Sequence, residues 1–196
     1  SSGKQGHAIA EAAARRGARV TLVTTTALAV PAGVQRVQVA TADEMRSAVI
    51  ERSAGADVVV MAAAVADFTP VRVAEQKIKK GDGVPLIELR PTVDILAELG
   101  SGRVPGRTLV GFAAETTDVA AHAARKLHDK NVDLIVANDV AAPGVGFEHD
   151  TNEVLILSSD GEQHHVPLSD KHAVADAVLD AVVGIRPSDR QHPDRE

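Results

Sequence analysis

Apolar segments alternate with helical segments along this 196-residue chain, and this alternation limits the possible folds more than any other feature. The apolar segments are predicted strands, at 19–25, 34–39, 57–62, 108–114 and 132–137. Helices are predicted at 4–16, 41–53 and 118–130. Continuous apolar strands that are separated by helices are typical of a parallel sheet covered on both faces. The sequence therefore predicts a Rossmann-like, doubly wound α/β domain with a mostly parallel sheet.

The C-terminal part departs from this alternation. Two strand-like segments flank Ser159-Asp160-Gly161, at 153–158 and 163–167, and together they predict an added β-hairpin. A last helix is predicted over 169–183. The charged, proline-containing tail 185–196 is predicted to be disordered. We therefore expect one domain over residues 1–184, followed by this tail.

The chain opens directly on a turn, Ser1-Ser2-Gly3-Lys4-Gln5-Gly6, which leads into the first predicted helix. In a doubly wound fold a strand should precede such a turn, so we expect that the first strand is missing from this chain. A turn of small residues at a helix N-terminus suits a phosphate, because backbone N–H groups and the positive end of the helix dipole face outward there. An ordinary flexible terminus explains the same residues. The turn matches neither GxxxxGK[ST] nor GxGxxG.

The composition excludes several classes of function. The net charge is −6 and aromatic residues make up 2% of the chain, so neither a basic nucleic-acid surface nor a base-stacking platform is expected. No apolar run approaches the roughly 18–20 residues that span a membrane. Cysteine is absent, which excludes disulfides and thiolate metal sites and fits a cytoplasmic protein. The basic groups are small and local, so we expect a small anionic ligand.

Lysine is rare in this chain and its positions are clustered. Three of the seven lysines lie within four residues, in Lys77-Ile78-Lys79-Lys80. Lysine is a compact, mobile point charge that can follow a phosphate through a reaction. His122, Lys126 and Lys130 recur at every fourth residue and therefore share one helix face, where like charges repel each other. An anionic partner explains this face, and so does solvation beside neighbouring aspartates.

Two aspartates are candidate site residues. Asp67 follows the predicted strand 57–62, and ligands of open α/β sheets bind outside the carboxyl ends of the strands. Its carboxylate is suited to Mg²⁺ or a ribose hydroxyl, and equally to a turn or a helix cap. Asp94 begins a predicted helix, where the helix dipole alone favours an acid. The histidines show no metal-ligand spacing, and no Ser/His/Asp order that would support nucleophilic catalysis is readable.

Five motifs carry a resemblance to a known family. They are SSGKQG, AAVADF, KIKK, VGFAAET and ANDV, which begin at Ser1, Ala63, Lys77, Val110 and Ala137. In order and spacing they resemble phosphopantothenoylcysteine synthetase, the cysteine-ligating half of the bacterial bifunctional coenzyme A biosynthesis protein, over about residues 1–183. The resemblance implies a ligase that activates 4′-phosphopantothenate with CTP as an acyl-cytidylate, releases pyrophosphate, and then joins it to L-cysteine with release of CMP. A carboxylate must attack a polyanion here, so cations such as Mg²⁺ and lysine are needed.

The resemblance assigns a role to each matching residue. Lys77 is implied to be the catalytic lysine, on a mobile flap 66–83 that closes over the substrate and excludes water. Asp67 is implied to contact CTP or its Mg²⁺, and Phe112 to pack near the cytosine. The other implied CTP contacts are Gly3, Lys4, Ala63, Val93, Asp94, Ile95, Leu96, Lys126 and Lys130. Lys80 and Asn138 are implied to bind the substrate.

The chain departs from the family pattern at two points. The family has an Asn shortly before the first Ser, linked to turning the acyl-cytidylate into product, and this chain begins at that Ser. The second half-reaction therefore depends on whether the whole molecule carries the Asn. Val93 stands where the family often has Pro, which would rigidify the turn, so we expect a small effect.

The resemblance also implies a homodimer, with the apolar hairpin 153–168 as the predicted contact, and an upstream flavin-dependent decarboxylase domain in the parent protein. Two other functions stay open. A non-catalytic nucleotide-binding or dimerisation module predicts CTP binding without pyrophosphate release. An NAD(P)-dependent oxidoreductase is suggested by the predicted sheet alone, but the chain has neither GxGxxG nor a tyrosine that could donate a proton.

Overall fold

The computed structural model describes residues 2–74, 76–77, 86–115, 117–139 and 150–186. The helices of this described part are α1 Lys4–Arg15, α2 Ala42–Ser53, α3 Ile95–Ser101, α4 Val119–Asp129 and α5 Lys171–Ile185. Its strands are β1 Val20–Thr24, β2 Val34–Gln38, β3 Val58–Met61, β4 Phe68–Pro70, β5 Leu89–Pro91, β6 Thr108–Glu115, β7 Leu134–Asp139, β8 Thr151–Ser158 and β9 Gln163–Asp170. In the same residues, no helix is both long enough and apolar enough to cross a lipid bilayer.

The central sheet has five strands in the order β3-β6-β7-β8-β9. The pairs β3–β6 and β6–β7 are parallel, whereas β7–β8 and β8–β9 are antiparallel. A separate parallel pair is formed by β1 and β2, and β4 pairs with β5 as a short antiparallel ribbon. This arrangement confirms the predicted α/β fold with a parallel sheet and an added hairpin. The predicted strand before Ser1 lies outside the chain and stays a prediction.

The sheet is covered by helices on both faces, as the apolar strands predicted. On β6, Leu109 and Ala113 pack in a core cluster with residues of α2, α3 and α4. Val110 lies on the opposite face and packs with the buried side of α5. The same alternation continues in β7, where Ile135 faces the first cluster and Val136 the second. Each central strand is therefore apolar on both sides because each side carries its own helical layer.

Several element boundaries differ from the predictions for physical reasons. The strand predicted at 57–62 is shorter, and β3 is half-buried because it lies at an edge of the central sheet. The last helix begins at Lys171 instead of 169, because the Asp170 carboxylate accepts a hydrogen bond of 2.8 Å from the Ala173 N–H and caps the helix there. Helix α2 begins with a Thr41 cap, whose hydroxyl accepts a hydrogen bond of 3.1 Å from the Glu44 N–H, while the Glu44 carboxylate accepts one of 2.7 Å from the Ala40 N–H.

Candidate functional site

The carboxyl ends of β3, β6 and β7 lie at one edge of the sheet, because these strands are parallel neighbours. The N-terminus of α1 reaches the same edge, since a Cβ placed on Gly6 would lie 4.0 Å from the Ala62 Cβ, just after β3. We call these strand ends, with the N-terminus of α1, the carboxyl edge. Ligands of open α/β sheets bind at this edge.

Gly3 fixes the way in which the chain enters α1. It has a φ of 75°, and a Cβ at this position would lie 2.6 Å from the Thr26 Cγ2. Both the left-handed backbone and the close approach to Thr26 require glycine. The Lys4 ammonium forms an ion pair of 2.5 Å with Asp150. The structure thus brings the predicted residues Gly3 and Lys4 to the carboxyl edge, with Lys4 already engaged by a carboxylate.

The predicted residues Asp67 and Asp94 approach each other through the β4–β5 ribbon. The Asp67 carbonyl accepts a hydrogen bond of 2.8 Å from the Thr92 N–H, which ties the segment after β3 to the segment before α3. Ala63 and Asp67 are exposed, and Val93 is exposed as well. Asp67 and Thr92, which are 25 positions apart in the sequence, are therefore adjacent beside the carboxyl edge.

The predicted catalytic lysine, Lys77, is exposed and follows β4 in the chain. Lys80 lies outside the described residues, as do residues 75 and 78–83 of the predicted flap 66–83. The closing of the flap therefore stays a prediction.

Asp94 has two roles in the structure. One carboxylate oxygen accepts a hydrogen bond of 2.9 Å from the Ala97 N–H and caps α3, while the other forms an ion pair with Lys130 at the end of α4. Burial raises the pKa of the Asp94 carboxyl, but the contacts with Lys130 and the Ala97 N–H outweigh this effect and hold the pKa below its usual value. Lys130 is thus held at the N-terminus of α3, where an anion is also favoured.

Glu115, the last residue of β6, contacts two side chains of α4. The Lys126 Nζ lies 2.8 Å from one carboxylate oxygen, and the His122 Nδ1 lies 3.0 Å from the other. Burial raises the pKa of the Glu115 carboxyl, but the contacts with Lys126 and His122 together hold it below its usual value. Part of the anionic partner predicted for this helix face is therefore supplied by the chain itself, by Glu115 and Asp94.

Glu115 was missed as a site residue although it lies in the VGFAAET motif. The signal that could have found it is a carboxylate at the end of a predicted strand, followed by a helix that carries His122 and Lys126 one turn apart. Only the packing of α4 against the sheet brings these three groups together, and the sequence pattern does not give that distance.

Four other predicted residues have buried or half-buried side chains. Ile95 is 3% exposed, and Leu96 packs over Gly111, where a Cβ would lie 2.4 Å from the Leu96 Cδ2. Phe112 is half-buried against the α1 and α5 layer, and Asn138 is buried near the end of β7. The Ile95 side chain therefore belongs to the core, and its contact with CTP stays a prediction.

The residues described at this site suit a metal ion that binds together with a ligand. Among the described residues, no group of three or more histidines and carboxylates is arranged to hold a metal. Mg²⁺ commonly uses one or two protein carboxylates and completes its shell with substrate phosphates and water. The single exposed carboxylate of Asp67 suits an ion of that kind, bound with a nucleotide.

One family model matches most of this chain, and so do the sequences of known proteins. The family model described as DNA/pantothenate metabolism flavoprotein C-terminal domain matches residues 1–185. The chain is 46% identical over 187 residues to the coenzyme A biosynthesis bifunctional protein CoaBC of Bacillus subtilis strain 168, a match that covers 94% of this chain and 46% of that protein. The chain therefore spans slightly less than half the length of this relative.

Solved structures show the same fold. The crystal structure of the C-terminal domain of a CoaBC protein has a TM-score of 0.78 and 43% identity, and the match covers 93% of this chain and 82% of that one. A Cab2 variant in complex with phosphopantothenate-cysteine has a TM-score of 0.76, with 94% of this chain and 77% of that one covered. At 17% identity, the second likeness shows the fold alone.

Proposed function

The chain belongs to the family of DNA/pantothenate metabolism flavoprotein C-terminal domains, and on this basis we propose that it is a phosphopantothenate–cysteine ligase of coenzyme A biosynthesis. Its substrates would be 4′-phosphopantothenate, L-cysteine and CTP. The observation that carries the proposal is the carboxyl edge, where lysines from α1 and α4, the N-terminus of α1 and an exposed aspartate gather. This set of groups suits a polyanion whose charge changes during a reaction.

In the first half-reaction, a carboxylate oxygen of 4′-phosphopantothenate attacks the α-phosphorus of CTP. The new P–O bond gives an acyl-cytidylate, and the bond to the β-phosphate breaks with release of pyrophosphate. Both reactants are anions, so the reaction needs cations that neutralise the incoming charge and the departing pyrophosphate. Lys126 and Lys130 are proposed to hold the triphosphate, and Lys77 is proposed to meet the charge that develops at the reacting phosphate.

In the second half-reaction, the cysteine amine attacks the acyl carbon, an amide bond forms, the amine loses a proton and CMP leaves with the bonding electron pair. Asn138, buried near the end of β7, is proposed to contact the substrate, and Lys80 has the same proposed role. The water-sensitive acyl-cytidylate requires a closed site, which is the task proposed for the flap 66–83.

Mg²⁺ is proposed to bind with the nucleotide at Asp67. When bound, the ion neutralises phosphate charge. The exposed Asp67 carboxylate would hold it from the segment that follows β3, while Ala63 in the same segment is proposed to read the base through its backbone. Phe112 is proposed to pack near the cytosine.

The proposal is tested by pyrophosphate release with CTP, Mg²⁺ and 4′-phosphopantothenate in the absence of cysteine, with ATP as the control nucleotide. Release with CTP and not with ATP is the expected result. Binding of CTP without release would favour a nucleotide-binding module. Absence of both binding and release would refute the proposed function.

A Lys77→Gln variant tests the role of the lysine on the predicted flap. We expect turnover to fall far more than CTP affinity, because the lysine is proposed to act mainly on the charge of the transition state. Arg19→Gln is the matched control, since it removes an exposed cation before β1, and it should leave both quantities unchanged. Equal losses of turnover and affinity in Lys77→Gln would contradict a transition-state role.

The relatives' bifunctional name supports a further proposal about the whole protein. The chain spans 46% of the Bacillus subtilis relative, so we propose that the parent protein also carries an upstream flavin-dependent decarboxylase domain.

We also propose a homodimer that forms through the β8–β9 hairpin. Its apolar residues Val154 and Ile156 are buried within the chain, and β9 pairs only with β8 among the described strands. The proposed contact is therefore the edge of β9, where a second copy could pair; a monomer in sedimentation velocity would contradict it.

A further inference from the structure

Glu115 is a nearly buried carboxylate at the point where the central strand β6 reaches the carboxyl edge. Its side chain is 12% exposed. None of the roles proposed above uses it, and a bare carboxylate beside a triphosphate repels the ligand. Its position is therefore explained by the groups that it holds.

Both carboxylate oxygens of Glu115 are engaged by α4. Lys126 lies 2.8 Å from Oε1 and His122 lies 3.0 Å from Oε2. The two partners are one helical turn apart, so they contact the carboxylate from the same helix face. Because His122 holds one oxygen, the carboxylate is fixed in rotation, and the other oxygen presents a fixed point to the Lys126 ammonium.

We infer that Glu115 is a positioning residue that fixes the Lys126 ammonium at the carboxyl edge, ready for the phosphate oxygens of the nucleotide. The inference rests on the proposed function, because it takes Lys126 as a phosphate-binding residue. The contact with Glu115 is an ion pair of 2.8 Å, and the Lys126 side chain stays 40% exposed, so its ammonium can also meet phosphate oxygens. A long lysine side chain loses considerable rotamer freedom when it binds, and Glu115 removes that freedom before the ligand arrives.

Two explanations of Glu115 predict opposite results for one substitution. If Glu115 acted only through its charge, Glu115→Gln would make the site one unit more positive and would tighten anion binding. If Glu115 positions Lys126, the same substitution releases the ammonium and weakens binding. Glutamine has nearly the shape of glutamate, so the comparison changes the charge and little of the packing.

The test is a double-mutant cycle on tripolyphosphate affinity, measured by calorimetry with the whole chain. Lys126→Met should weaken binding about tenfold or more, because a charge-assisted contact is lost. Glu115→Gln should weaken it by roughly three- to tenfold. The double variant should bind no more weakly than Lys126→Met alone, because Glu115 acts through Lys126. In turnover, Glu115→Gln should raise KM for CTP by a similar factor and change kcat less.

Asp133→Asn is the matched control for a purely structural effect. Asp133 is 13% exposed, pairs with Arg103 and accepts a hydrogen bond of 2.7 Å from the Leu109 N–H, but it lies just before β7, at the opposite edge of the sheet. It should lower stability and leave tripolyphosphate affinity unchanged. A general loss of packing would weaken binding in both variants and would overturn the inference.

The remaining outcomes separate the inference from the proposed function. If the wild type binds tripolyphosphate and the cycle is non-additive, but no pyrophosphate is released from CTP, the proposed function fails and the positioning of Lys126 stands. If pyrophosphate is released but Glu115→Gln binds tripolyphosphate as tightly as the wild type or more tightly, the function stands and the inference is overturned. Additive losses in the double variant, or no tripolyphosphate binding by the wild type, would also overturn it.

Discussion

Gly100 joins α3 to the end of α4 so closely that alanine cannot replace it without movement of the backbone. A Cβ at this position would lie 1.8 Å from the Lys130 carbonyl oxygen and 3.1 Å from the Asn131 carbonyl oxygen. The Asn131 side chain also donates a hydrogen bond of 2.8 Å to the Gly100 carbonyl. We predict that Gly100→Ala destabilises the protein, although Gly100 lies within a helix.

Two effects of opposite sign determine the magnitude. Alanine is better than glycine in a helix interior by up to about 1 kcal/mol. Against this, a Cβ that starts 1.8 Å from a backbone oxygen must move away by about 1.6 Å to reach an ordinary contact of 3.4 Å. Overpacking of this kind costs about 1–3 kcal/mol, and sometimes more. Separation of α3 from the turn after α4 would also weaken the Asn131 hydrogen bond, worth about 1 kcal/mol. We therefore expect a net loss of about 1–3 kcal/mol.

The assay is urea denaturation followed by circular dichroism, with Gly184→Ala as the control. Gly184 also lies within a helix, α5, but a Cβ there would have no neighbour within 4 Å. Gly184→Ala should be neutral or stabilising by up to about 1 kcal/mol, whereas Gly100→Ala should lower the midpoint with an unchanged m-value. Equal stabilisation by both substitutions would refute the steric argument.

Three further predictions concern stability. Arg107→Met should lower the free energy of unfolding by about 2 kcal/mol or more, because the buried guanidinium donates to three backbone carbonyls, and the urea midpoint measures the loss. Asp170→Ala should lower the free energy of unfolding by about 1 kcal/mol, because the α5 cap is lost, and Asp170→Asn should lower it much less. Thermal denaturation can compare the two variants. In the folded state the pKa values of Glu115 and Asp94 lie below their usual values, so the ionised carboxylates stabilise the fold at neutral pH, and this stabilisation is lost as the pH falls below about 4. Glu115→Gln should therefore flatten the acid limb of a curve of unfolding free energy against pH. An unchanged acid limb would contradict the lowered pKa of Glu115.

The parts of the fold that the sequence predicted are those with a repeating burial pattern. The strands at 108–114 and 132–137 are central and covered on both faces, so their apolar runs could be identified without knowledge of their neighbours. The hairpin was predictable from local chemistry, since Gly161 has a φ of 93° in the turn. In each case the signal lies within a few residues of the element that it predicts.

The parts that could not be predicted depend on contacts between distant residues. The β4–β5 ribbon has strands of three residues that contain Pro70 and Pro91 and are largely exposed, so no burial pattern marks them. Similarly, the ion pair of Asp94 with Lys130 joins residues 36 positions apart. Sequence spacing placed His122, Lys126 and Lys130 on one helix face, but the carboxylates that they meet come from other elements.

The ion pairs of Lys126 and Lys130 suggest different roles for these two lysines and for Lys77 in the proposed reaction. Lys126 pairs with Glu115 at the end of β6, and Lys130 pairs with Asp94, the cap of α3, so on the proposed function both ammonium groups are positioned before a ligand binds. Cations fixed in this way bind a triphosphate with little loss of side-chain freedom, but they interact similarly with the ground state and the transition state. Interactions that form only in the transition state are then left to a lysine outside the core, such as the exposed Lys77. On this argument, substitutions at Lys126 and Lys130 should act mainly on KM, and substitutions at Lys77 mainly on kcat.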